Sequence, residues 1–273
     1  MTRALLLLVA MFDWRSLAVL RRNALVFLRN WRTAFVPPAL EPVVFFLAFG
    51  LGLGSYVGSM THADRTVSYA TWVAPGLLAY TAFGTPFFEG LYSSYVRMFY
   101  QKTWDGILAT QVEIHHVVWG EILWAGMRGM FNATLVTIVI GVFQVLGVID
   151  IHWELLPVLP LIALAAGWTF GAFALIFTAI VPAIDHMNYP VFLVGVPIGL
   201  ISNTYFPVET ENPWLEAIIY ANPVYHLSET CRSLLVSGHP DVHALWLLGT
   251  AGGLLLAFAL LAHWLVRRRV LGA

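Results

Sequence analysis

The chain has 273 residues, of which 59% are apolar and only 11% charged; its formal net charge is −1 and its mean hydropathy +0.78. Soluble domains carry about 25% charged residues, so this chain cannot clothe itself in polar surface, and its solvent is lipid. The near-zero net charge gives no basis for a nucleic-acid partner, and the single Cys231 excludes an internal disulfide or a cysteine-based metal cluster.

No cleavable signal is evident: the apolar run from Leu5 to Ala10 is not followed by a small-residue cleavage site. Residues 11–32 read as an amphipathic helix lying in the membrane interface. Arg15, Arg22 and Arg29 recur every seven residues on one face, while Trp14, Leu17, Ala18, Leu25, Leu28 and Trp31 fall mostly on another. A bilayer core needs about 20 apolar residues per helix, and six stretches read as spans: 34–57, 69–93, 117–149, 155–181, 189–206 and 244–266. The first opens on Pro37, Pro38 and Pro42, which suit a helix start. The second is interrupted by Pro75, Gly76, Gly84 and Pro86, and the fifth is bent by Pro190 and Pro197. Residues 58–68 read as a polar loop, 150–154 as a short acidic loop, and 182–188 as a tight turn.

Between spans two and three lies 96–113, the longest polar-rich run between apolar segments, which holds Lys102, the only lysine. Between spans five and six, 207–243 is half apolar, and Asn222-Pro223 divides it into two pieces too short to span. That pattern suits a re-entrant or interfacial helical hairpin, allowed at membrane depth only when packed on protein or lining a cavity.

Of the fourteen basic residues, eleven (Arg3, Arg15, Arg21, Arg22, Arg29, Arg32, Arg97, Lys102 and Arg267 to Arg269) fall on one side of this six-span arrangement; only Arg65 and Arg232 fall on the other, and Arg128 lies within span three. By the positive-inside rule that side is cytoplasmic. The reading is one all-α membrane domain in the inner membrane, both termini cytoplasmic, with the 207–243 hairpin outside.

Catalytic motifs are absent. Lys102 follows Gln101, so no G-x-x-x-x-G-K-[ST] phosphate loop exists, and there is no H-E-x-x-H. His115-His116 point to different helix faces. His239 and His243 are four apart in a loop leading into span six, and all nine histidines read as ordinary packing or surface residues. Acidic residues near the inner leaflet carry more weight: Glu41, Glu89 and Glu121 would be costly in lipid unless they face a cavity or partner. Glu41 and Glu89 read equally as a hydrophilic entrance or as structural; Glu121 reads as a structural partner of Arg128, two turns on. With Glu41 and Glu89, the aromatic residues Phe87, Tyr92, Phe192, Tyr205 and Phe206 are candidates to line a path on which sugar rings stack, against the alternative of lipid-facing packing.

Several motifs carry a resemblance. They are Glu41-Pro42, the glycine-rich run from Phe49 to Gly58, Ala74-Pro75-Gly76 and Thr85 to Met98. The most specific is TWDGILAT (Thr103 to Thr110), followed by Gly120-Glu121. Late in the chain come Phe206-Pro207, Asn222-Pro223, His226-Leu227 and Arg232. In these the chain resembles the type-2 ABC exporter permeases and, among them, the nodulation-factor (lipo-oligosaccharide) exporter branch, over essentially its whole length from residue 12. One departure is Gln111, where that family commonly has proline.

The resemblance implies a homodimer of permeases seated on cytoplasmic ATP-binding subunits that hold ATP and Mg; this chain binds no cofactor or metal itself. Coupling would run through Arg97, Tyr100, Gln101, Lys102, Thr103, Trp104, Asp105, Ile107, Leu108 and Thr110. Tyr100, Thr103, Trp104, Ile107 and Leu108 would dock in a groove, while Arg97, Lys102 and Asp105 set the register by charge. Pro207, Asn222, Pro223, His226 and Arg232 belong to the outer hairpin. The expected cargo is an amphiphile with a glycan head, such as a lipo-oligosaccharide, glycolipid or polysaccharide. The alternatives are a hydrophobic-drug exporter or, in another class, an intramembrane lipid-linked sugar transferase or a channel.

Overall fold

The computed structural model describes residues 9–30, 40–63, 65–208 and 210–272. Arg3, Arg32, Pro37, Pro38 and the first residues of span one lie outside them.

Ten helices order the described chain: α1 Trp14–Arg29, α2 Leu40–Val57, α3 Tyr69–Phe88, α4 Thr103–Leu108, α5 Ile114–Val145, α6 Leu159–Ile180, α7 over residues 188–200, α8 Pro213–Ala221, α9 Pro223–Arg232 and α10 Val242–Leu271. The loop expected at 58–68 is instead an antiparallel hairpin, β1 Ser59–His62 and β2 Arg65–Ser68, with Ser59 opposite Ser68 and His62 opposite Arg65. Met60 and Val67 pair on its half-buried face.

Among the described residues four helical stretches are long and apolar enough to cross a membrane: Leu40–Val57, Ile114–Val145, Trp153–Ile180 and Val242–Leu271. The expected spans at 69–93 and 189–206 are not among them, for different reasons. Helix α3 is 20 residues long, but Tyr, Thr, Gly and Pro replace aliphatic residues in it, and nearly all of it is buried by its neighbours. Pro75 and Pro86 do not break it; helical turns continue it to Tyr100. Helix α7 is short of the length required because the chain leaves helical geometry after Leu200. Asn203 takes a positive φ of 58°, and its side chain accepts the Val208 N–H at 2.6 Å.

Helices α3, α5 and α6 form the core. Small residues bring α5 and α6 together: a Cβ on Gly167 would stand 2.9 Å from the Gly126 Cα. Close backbone approach of this kind is how helices associate where lipid supplies no hydrophobic drive. The tail of α10 caps α6. Arg269 donates to the carbonyls of Ala179 (2.8 Å) and Val181, and lies 4.4 Å from the centroid of the Phe99 ring. A cation at a helix C-terminus satisfies orphan carbonyls and complements the helix dipole.

Helix α1 is capped by Asp13, which accepts the Arg15 N–H at 2.9 Å. Its buried face is neither the arginine face nor the apolar one. It is Ser16, Val19 and Asn23, which lie against α5, where a Cβ on Gly120 would meet Val19 at 2.5 Å. Trp14, Leu17, Leu25 and Leu28 are left exposed.

Candidate coupling and cargo site

The turn at Lys102 (φ 52°) reverses the chain after the α3 extension and launches α4. The Trp104 side chain points inward and is 1% exposed. Its indole donates to Glu121 at 3.2 Å. Glu121, itself 1% exposed, also accepts from Arg97 Nε (3.1 Å), Ser94 (2.9 Å) and Asn23 (3.3 Å). One buried carboxylate therefore ties α1, the α3 extension, α4 and α5 together. Arg97 bridges onward to Glu89 (2.9 Å), which also accepts from Trp124 (2.8 Å) and Ser93 (3.2 Å) and faces Arg128 at 3.6 Å. Buried charges persist in such a place only when paired and hydrogen-bonded.

Two expectations are corrected here. Glu121 does not pair with Arg128; it is held by Arg97, and Arg128 goes to Glu89. Trp104 and Arg97 do not face outward to dock or set register, because both are consumed by the interior network. The outward surface of the coupling stretch is Tyr100, Gln101, Lys102, Asp105 and Thr110, with Thr103, Ile107 and Leu108 half-buried. Lys102 and Asp105 stand 3.9 Å apart on it.

Two clefts meet at Glu89 and Arg128. One, of about 370 Å³, lies between α1 and the bundle, walled by Arg22, Val26, Phe27, Val96, Trp124 and Arg128 among others. The other, of about 380 Å³, joins Glu41, Tyr80, Thr85, Tyr92 and Asn132 to the same Glu89 and Arg128. The structure thus brings Glu41, Glu89 and Tyr92 together, and Tyr205 borders a small pocket with Glu41 and Tyr80. The remaining aromatic candidates fall elsewhere. Phe87 is 1% exposed, wedged against Gly195 and Phe83, and lines no path. Phe192 and Phe206 lie on the outer surface, away from both clefts.

At the opposite end, Asn222 separates α8 from α9. Its side chain caps α9 by accepting from Val224 N (3.0 Å) and donates to the Ile198 carbonyl (2.8 Å). Pro223 opens α9, whose Arg232 is fully buried. Arg232 pairs with Glu229, donates to the carbonyls of Trp72 (3.1 Å) and Asn203 (2.6 Å), and stacks 3.9 Å from the Trp72 ring centroid. His226 meets His243 at 2.9 Å and the Tyr220 carbonyl at 2.8 Å. Burial pushes the His226 imidazole below its usual pKa, and that of His62, beside Glu229, likewise. Pro207 is exposed in the connection before α8. Among the described residues no group of three or more His, Cys, Asp or Glu is placed to hold a metal.

Sequence reasoning missed Arg22, Asn23, Ser94, Trp124 and the true partners of Arg128. Asn23 had a signal: Ser16, Val19 and Asn23 are spaced as one narrow helix face between the arginine and apolar faces. The others had none, because their partners are distant in sequence.

A family model described as "ABC-2 type transporter" matches residues 16–236. Nodulation protein J of Rhizobium meliloti (strain 1021) is 30% identical over 94% of this chain and 95% of its own length. Nodulation protein J of Rhizobium leguminosarum bv. viciae is 30% identical over 93% and 95%. The inner membrane transport permease YadH of Escherichia coli (strain K12) is 25% identical over 89% and 90%.

Proposed function

Because the chain belongs to the ABC-2 type transporter family, we propose that it is the membrane subunit of an ATP-driven exporter, carrying an amphiphile with a glycan head across the inner membrane in a homodimer seated on separate ATP-binding subunits. One observation carries the coupling part. Helix α4 offers an exposed polar face, with Lys102 and Asp105, while Trp104 fastens its inner face to Glu121. A push on α4 therefore reaches α1, α3 and α5 through a single carboxylate, which suits rigid-body switching between two states. The glycan-type cargo rests on the resemblance to the lipo-oligosaccharide exporter branch, on relatives named Nodulation protein J, and on a cleft with both charged and aromatic walls. Glu89 and Glu121 support it less than their sequence positions imply, since Arg97 and Arg128 neutralise them.

The test is mass spectrometry of what co-purifies with the tagged chain from native membranes. The expected result is a stoichiometric ATP-binding subunit, lost in Asp105→Arg while the purified chain keeps its thermal midpoint. A homo-oligomer without an ATPase, under conditions that preserve other membrane complexes, rejects the reading in favour of a channel or transferase. Transport of hydrophobic drugs but no glycolipid by the intact complex rejects only the cargo.

A further inference from the structure

The charge balance around Arg128 is incomplete. Three guanidinium groups, of Arg22, Arg97 and Arg128, surround two carboxylates, Glu89 and Glu121. Arg97 is saturated: it reaches Glu121, Glu89 and Ser94. Among the described residues the hydrogen bonds of Arg22 go to neutral oxygens, Asn23 Oδ1 at 3.0 Å and Thr103 Oγ1 at 3.4 Å. Arg128 meets Glu89 through Nε, and its Nη1 is buried with no hydrogen-bond partner among the described residues. In the adjoining cleft the buried Oδ1 of Asn132 is also unpartnered. An unpaired buried group is costly, more so when charged, and both sit at the wall of the same double cleft.

We propose, resting on the exporter reading, that the cleft between α1 and the bundle binds the phosphate-ester headgroup of an amphiphile between Arg22 and Arg128. Guanidinium groups on two different walls suit an anion that offers several oxygens in different directions, and arginine pairs with phosphate by parallel N–H donors. A turn of the Arg128 tip brings Nη1 to the ligand, and Asn132 Oδ1 suits a hydroxyl on the same headgroup. The remaining lining, Val26, Phe27, Val96 and Trp124, is apolar and receives the first part of a tail. The exposed Leu17, Leu25 and Leu28 of α1 set this helix at the membrane interface, which is headgroup depth. Glu41, which has no arginine partner among the described residues, stands in the adjoining cleft and not in this one.

The test is native mass spectrometry of the full-length chain, purified in neutral detergent with whatever subunits it retains. It is titrated with dioctanoyl phosphatidate, dioctanoylglycerol or glycerol 3-phosphate. We expect saturable phosphatidate binding, none for dioctanoylglycerol, and a dissociation constant raised about tenfold by either Arg22→Gln or Arg128→Gln, the loss of one charge-assisted contact. Arg21→Gln, on the exposed side of α1, is expected to bind as wild type. Glycerol 3-phosphate binding as tightly as phosphatidate supports the anion site and identifies its occupant as a soluble ester; much weaker binding identifies a lipid headgroup. Equal binding of phosphatidate and dioctanoylglycerol overturns the proposal, as does unchanged binding in Arg22→Gln or an equal loss in Arg21→Gln. Arg22 carries the test alone if Arg128→Gln fails to fold. Absence of phosphatidate binding in a preparation that still retains its ATPase sinks this inference and leaves the exporter reading intact.

Discussion

At Glu121 five donor groups from three segments converge on one carboxylate that is 1% exposed. Removing the charge of Arg97 leaves Glu121 and Glu89 buried beside too few cations, and breaking one side of a buried pair costs about 3–5 kcal/mol. Arg97→Met is therefore expected to lower the thermal midpoint of the purified chain severely. Trp104→Phe removes a single donor to a charged acceptor while keeping most of the ring packing, a loss of about 1.5–3 kcal/mol. Differential scanning fluorimetry of both variants checks the order: a Trp104→Phe change as large as that of Arg97→Met means the indole fills space more than it binds Glu121.

The elements were unevenly legible in the sequence. Composition and span length gave a helical membrane protein, and Asn222-Pro223 marked the junction between α8 and α9, because an Asn-Pro pair caps one helix as it ends another. The end of α7 was not legible, since it depends on Asn203 adopting a positive φ that the Val208 amide and Glu229 stabilise from outside the helix. The hairpin β1–β2 was missed because a short polar stretch reads as loop until its strands find each other. At the clefts Glu41, Glu89 and Tyr92 were legible as path candidates, but which arginine meets which glutamate was not. Spacing along α5 favoured Glu121 with Arg128, whereas the fold brings Arg97 across from the α3 extension.

The hairpin of α8 and α9 also carries a pH dependence. The folded pKa of His226 lies below its unfolded value, so its contribution to hairpin stability is full above about pH 6.5 and is lost as pH falls through the lower folded value; His62 acts in the same sense. Around His226 stand His243, Asp241, Glu229 and the Tyr220 carbonyl, and around His62 stand Glu229, Arg232, Asp241 and His243. The protection factors of the α9 amides, with the intrinsic pH dependence of exchange divided out, are expected to fall between pH 7 and pH 5, and His226→Asn with His62→Asn to flatten that trend. An unchanged slope in the double variant removes these two histidines as its source.

Across the whole molecule, α3 is the strut between the two buried charge clusters. Near its start the Trp72 carbonyl accepts from Arg232; just past its end Glu89 is gripped by Arg97 and Arg128. Glu89 lies seventeen residue steps along the helix from Trp72, roughly 25 Å at 1.5 Å per residue. Because α3 is buried along this length, it is expected to move as a body with what holds its ends, and under the proposed coupling a displacement of α4 would arrive at the hairpin through Arg232. Arg232→Met cuts that connection and also strands Glu229, so alone it is expected to destabilise by about 3–5 kcal/mol. Adding Glu229→Gln removes the stranded charge while keeping an acceptor for Asn203, and much of the lost stability is expected to return. If α3 transmits the stroke, the double variant keeps its ATPase partner and its ATP hydrolysis but loses cargo movement. Full transport by a stable double variant means that the outer end of α3 is not where the stroke is delivered.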